Sequence, residues 1–134
     1  IWLNEGFACY CEWLWVEHKG TDSAHSVARS HYLVLSRKAQ NLHLADPGAH
    51  DMFDDRVYKR GAITIHALRR LLGDEAFFDA VRNYLHAGRN STVMPKDFFG
   101  HIDDAALKAG VSLDEVAELF DVWLNHKQLP KFPA

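Results

Sequence analysis

The sequence is short of several things, and each shortage removes a class of protein. It has no basic excess: 15 Lys and Arg stand against 18 Asp and Glu, a net charge of −3, where a nucleic-acid platform shows a basic stripe. Its apolar stretches are interrupted by Asn4, Glu5, Glu12 and Glu17 well before the ~20 residues that a membrane span requires. The first residues lack the basic region of a signal peptide. Cysteine is reduced to Cys9 and Cys11, two positions apart on what reads as a helix. They point away from each other and cannot close a local bridge, so a disulfide scaffold is excluded and two reduced thiols of a cytoplasmic chain are expected. Strand signals are nearly missing as well. There is no initiator Met before Ile1-Trp2-Leu3, which reads as a piece of a longer chain.

What is present is an ordinary globular composition, 48% apolar and 25% charged over 134 residues, which suits residues 1–134 as a single domain. Helical spacing and caps recur along it. A first helix from about Trp2 to Lys19 carries Phe7, Tyr10, Trp13, Leu14, Trp15 and Val16 all round its axis, as for a helix buried on several sides. A second starts at Asp22 or Ser23 and runs toward Asn41. Asp46-Pro47-Gly48 marks a turn within a loop from Leu42 to Asp54. A third starts near Asp54 or Asp55, carries Val57, Gly61, Thr64, Leu68 and Leu72 as a stripe, and stops at Gly73. The fourth takes Asp74 as cap. After an Asn90-Ser91-Thr92 loop, Pro95 opens a fifth, and Ser112-Leu113-Asp114-Glu115 is the capping box of a sixth. The expected fold is an all-α bundle of about six helices.

Nine histidines invite a metal reading, but no two stand three or four residues apart, the spacing that sets two imidazoles on one helical turn. A complete local metal site is not encoded, and the histidines read as exposed or hydrogen-bonded structural residues. Two segments carry more. In Trp2-Leu3-Asn4-Glu5-Gly6-Phe7-Ala8 a carboxylate sits in the opening turn of an apolar helix, where burial is costly unless a cation, donor or metal meets it. In Asp55-Arg56-Val57-Tyr58-Lys59-Arg60-Gly61-Ala62 a tyrosine lies amid three cations, before a glycine that permits close approach. Taken singly, the first also suits a half-exposed Glu at a helix N-terminus, and the second a packing tyrosine.

Together and in this order, the two segments resemble the zinc aminopeptidase family that includes aminopeptidase N and the leukotriene hydrolases. Leu72-Gly73-Asp74-Glu75-Ala76-Phe77-Phe78, Asp97-Phe98-Phe99, Trp123-Leu124 and Leu129-Pro130 resemble the helices that finish that family's thermolysin-like catalytic domain. The resemblance implies a zinc-dependent hydrolase of N-terminal residues of peptides. Glu5 becomes the third zinc ligand beside two histidines, with water in the open position, and Tyr58 the hydroxyl that stabilises the oxyanion. A tyrosine hydroxyl is a neutral donor at neutral pH, as that role needs.

The family's His-Glu-x-x-His helix and its Gly-x-Met-Glu-Asn segment are not in the chain, and Arg60 stands where the family usually has Lys. The resemblance therefore implies zinc in the full-length enzyme, with neither bound zinc nor activity in this chain alone. Phe53 and Arg60 are candidates for the substrate pocket, from proximity to Tyr58. Expected partners are peptides with a free N-terminus, with neither nucleic acid nor membrane. Cut from a missing neighbour, the apolar first helix is expected to drive self-association. A non-catalytic protein-binding scaffold of the same fold is the alternative.

Overall fold

The computed structural model describes residues 1–89 and 95–134, so the expected Asn90-Ser91-Thr92 loop lies outside the described residues. Among the described residues the regular structure is helical throughout. The order is α1 Trp2–His18, α2 Ala24–Leu35, α3 Gly48–Asp51, α4 Asp55–Leu72, α5 Asp74–Ala87, α6 Pro95–Ala109 and α7 Leu113–Phe120, the last running into a π-helical turn at Asp121–Asn125. The all-α class agrees with the sequence. The addition is α3, a single turn that continues the Asp46-Pro47-Gly48 signal inside the expected loop.

The caps explain most of the boundaries. The Ser23 hydroxyl accepts the Ser26 amide at 3.0 Å and starts α2. At α7 the Glu115 amide donates to the Ser112 hydroxyl at 3.1 Å, and the Ser112 amide donates to the Glu115 carboxylate at 3.1 Å, the reciprocal box expected. Asp74 differs from expectation. The cap of α5 is Gly73 at φ 85°, a left-handed conformation that glycine adopts without strain, and Asp74 is the first helical residue. Helix α2 ends at Leu35, short of Asn41: the Arg37 and Lys38 amides tighten onto Val34 O and Leu35 O at 3.1 and 3.0 Å, and the Ser36 hydroxyl and the Gln40 amide add bonds to Leu33 O at 2.7 Å and Leu35 O at 3.2 Å.

The chain groups into two compact units, Ile1–Ala67 with Phe120–Ala134, and Leu68–Leu119. In the first, Leu3, Tyr10 and Trp13 of α1, Ala24 and Ala28 of α2, Val57 and Ile63 of α4, and Trp123 of the π-helical turn are buried. In the second, α5 turns Phe77, Ala80 and Tyr84 inward and α6 turns Phe98, Ile102 and Ala106. The Tyr84 and Phe98 rings meet edge to face at 5.4 Å. Arg69 bonds the Asp74 carboxylate at 2.9 Å and lies 5.0 Å from the Phe78 ring centre.

The two apolar patterns read from the sequence change places. Helix α1, apolar on all sides by composition, leaves a continuous exposed stripe at Asn4, Ala8, Cys11, Glu12 and Trp15, one helical face. Helix α4, which reads as a single stripe, is buried at every position from 60 to 69. Its polar residues look solvated in the sequence, but they find partners inside the protein. The Thr64 hydroxyl donates to Arg60 O at 2.8 Å, and His66 and Arg60 bond to other segments.

Candidate active site

Glu5 lies in the first turn of α1, where the positive end of the helix dipole favours an anion. Its amide donates to Ile1 O at 3.0 Å, and the residue is half-buried, while Trp2, Leu3 and Gly6 of the same turn are buried. Tyr58 lies in the first turn of α4, half-buried between Val57 and Lys59. Every fully buried side-chain polar atom among the described residues has a partner. Against that background, the Glu5 carboxylate and the Tyr58 hydroxyl have no hydrogen-bond or ion-pair partner among the described residues.

The helices that carry these two groups touch backbone to backbone. A methyl built on Gly6 would stand 2.7 Å from the carbonyl carbon of Gly61, and one on Gly61 would stand 2.8 Å from Trp2 O. Glu5 directly precedes one glycine and Tyr58 lies three residues before the other, about 1.5 and 4.5 Å along their axes. Farther along α1 and α4, the Lys59 ammonium sits 3.8 Å from the Cys9 sulfur and 3.7 Å from the Asp55 carboxylate. Burial pushes the Cys9 thiol up, against the opposing pull of Lys59, which keeps it a protonated packing group and not a nucleophile. His31 stacks on Trp13 with ring centres 5.1 Å apart, and burial, then the Lys59 charge, holds its imidazole below the usual 6.5.

The two residues offered for the substrate pocket differ sharply. Phe53 is exposed at 67%, on the segment that leads into α4. Arg60 is 3% exposed, and its guanidinium donates to four carbonyls at the end of the chain: Trp123 at 2.9 Å, Lys127 at 2.9 Å, Val122 at 3.3 Å, and His126. These are carbonyls that a π-helical turn and its end leave without helical partners, and the negative end of a helix favours the cation. Desolvation lowers the Arg60 guanidinium to about 10, so it stays charged at neutral pH. The sequence signal for this clamp is weak: a cation inside an otherwise apolar helical stretch.

Composition also gave no notice of a chain of aromatic hydrogen bonds. The Tyr10 hydroxyl meets His66 Nδ1 at 2.9 Å, and His66 Nε2 meets His25 Nδ1 at 2.9 Å, joining α1, α4 and α2. The position of His66 between Ile65 and Ala67 is the only trace of it in the sequence.

A carboxylate oxygen is a competent zinc donor. Among the described residues, however, no three His, Cys, Asp or Glu side chains stand close enough together to hold a metal ion. A single carboxylate such as that of Glu5 could supply one donor to a zinc ion, and no cluster among the described residues would complete the site. No described helix is long and apolar enough to cross a membrane.

Comparison with known proteins identifies the family and the fold. A membrane alanyl aminopeptidase from Heliothis virescens is 32% identical over 120 residues, 82% of this chain and 12% of that protein. The M1 zinc metallopeptidase of Deinococcus radiodurans superposes with a TM-score of 0.81 at 30% identity over 99% of this chain and 29% of that one. A mutant of it bound to a Tyr-Ser-Ala substrate superposes with a TM-score of 0.80 at 30% identity, with the same coverage. The chain thus spans about an eighth of the first relative and under a third of these structures. The Peptidase family M1 domain matches residues 1–123, nearly the whole length, and the chain belongs to peptidase family M1.

Proposed function

We propose that the chain is the helical part of the catalytic domain of a zinc aminopeptidase, in which Glu5 is a metal ligand and Tyr58 the oxyanion donor. The observation that carries this reading is the pair of unpartnered, half-buried polar groups beside a direct backbone contact of α1 and α4. Polar groups that the protein itself leaves unbonded are open to water, a metal ion or a substrate atom. The tripeptide held by the Deinococcus radiodurans enzyme supports peptides with a free N-terminus as the substrate class. When bound, zinc supplies Lewis acidity and a nucleophilic water at neutral pH.

The chain's own contribution is positional. Glu5 offers an acceptor from the first turn of a helix, and the helix fixes its direction. Tyr58 donates its hydroxyl proton in a hydrogen bond to the oxygen of the scissile carbonyl as that oxygen gains charge, from a helix that needs no reorganisation. Arg60 acts from beneath: it pins the turn of α4 that bears Tyr58 to the carbonyls at residues 122–127. The exposed Phe53 is the residue free to meet a substrate side chain. The chain alone, with one ligand, has no peptidase activity, and its unbridged cysteines suit a cytoplasmic location.

Replacing Tyr58 by Phe in the full-length enzyme lowers kcat by roughly 10²–10³ with KM within a few-fold, the signature of a bond made in the transition state. Steady-state kinetics on a peptide substrate measures this. Wild-type turnover in that variant overturns the reading.

A further inference from the structure

Three glycines sit inside long helices without a positive φ: Gly6 in α1, Gly61 in α4 and Gly100 in α6. None is required by backbone conformation, and a glycine in a helix interior is unfavourable relative to alanine. The space around them separates them. A methyl on Gly100 meets nothing within 4 Å. A methyl on Gly6 meets the Gly61 carbonyl carbon at 2.7 Å and its Cα at 3.0 Å, and one on Gly61 meets Trp2 O at 2.8 Å and the Gly6 Cα at 3.2 Å. All of these are backbone atoms, so no rotamer change relieves the overlap. A side chain at either position has to push the two helices apart or slide one along the other.

We propose that the Gly6–Gly61 contact is the positioning element of the site. By letting α1 and α4 meet at their backbones, it sets the spacing between the Glu5 carboxylate and the Tyr58 hydroxyl. This rests on the roles assigned to Glu5 and Tyr58 above. The two glycines act through those residues and touch neither substrate nor metal. Each lies within one helical turn of the group it places, so a displacement at the crossing reaches the group almost undiminished. Catalytic geometry tolerates little of this, since a shift of ~1 Å can cost on the order of 10²-fold in rate.

The test uses the full-length enzyme with Gly6→Ala, Gly61→Ala, the control Gly100→Ala, and Gly61→Ala combined with Tyr58→Phe. The expected result is a kcat lowered roughly 10- to 100-fold in Gly61→Ala with KM within about threefold. Zinc affinity, measured by chelator competition, falls in Gly6→Ala, and Gly100→Ala matches wild type in both. In the Tyr58→Phe background, Gly61→Ala lowers kcat much less than it does alone, because the group it misplaces is already gone. Crystal structures of the single variants show the Glu5–Tyr58 separation changed. Wild-type kcat and zinc affinity in folded Gly61→Ala and Gly6→Ala overturn the proposal. So do equal losses with and without Tyr58, and so does failure of both variants to fold, since each leaves the contact a packing feature only. If Tyr58→Phe by itself turns over at the wild-type rate, it is the functional reading that fails, whatever the glycine variants do.

Discussion

Each of the two units is held by different internal means. In Leu68–Leu119, α5 and α6 meet through apolar side chains, and the buried cation Arg69 is tied to Asp74 five residues away. In Ile1–Ala67 with Phe120–Ala134, buried polar groups join segments far apart in sequence: Arg60 to Trp123, Tyr10 to His66, His25 to His66. An apolar stripe tolerates small adjustments, because dispersion and burial have no direction. A hydrogen bond to a fixed carbonyl does not. The unit that bears Glu5 and Tyr58 is therefore the one whose geometry is set by directional bonds and by a backbone contact, as the proposed site would require of groups held to a fraction of an ångström.

The sharpest way to break this comparison is to empty each unit in turn. Phe98→Ala removes a fully buried ring from the second unit and should cost about 3–5 kcal/mol, read from urea unfolding. A loss under about 1 kcal/mol would mean that the α5–α6 stripe is not its core. Arg60→Lys keeps the charge in the first unit but replaces a planar fork on four carbonyls by a single ammonium, so a smaller loss of about 2 kcal/mol is expected from the same measurement. If lysine is as stable as arginine, charge and not direction holds that end of the chain.

The smallest effect is in pH. His31 is held below 6.5 in the folded protein, so the unfolded chain binds its proton first as pH falls. Its contribution is complete above about 6.5 and declines as pH drops through the folded value. Unfolding midpoints between pH 7.5 and 5.5 should show that decline, and His31→Gln should flatten it. An unchanged slope in that variant would remove His31 from the account.

The same contrast decides what was legible in the sequence. The second unit is built from local rules, and its Ser112–Glu115 box is readable within one helix. The proposal for Glu5 and Tyr58 comes from their motifs and not from any physical pattern of their own. The burial of α4 was not legible, because Arg60, Thr64 and His66 count as polar in any periodicity, and their partners lie up to 67 residues away. The Gly6–Gly61 contact was half legible: a glycine that permits close approach was visible, but not which backbone approaches it.

The aromatic hydrogen-bond chain carries one more consequence. A neutral imidazole donates from one ring nitrogen and accepts at the other. With His66 neutral, Tyr10 and His25 therefore cannot both donate to it, nor both accept from it. The three rings share one proton order, running from α1 through α4 to α2 or the reverse, and turning any one of them around reverses the other two. Three helices are thus joined by a tie that has a sense of direction as well as a length.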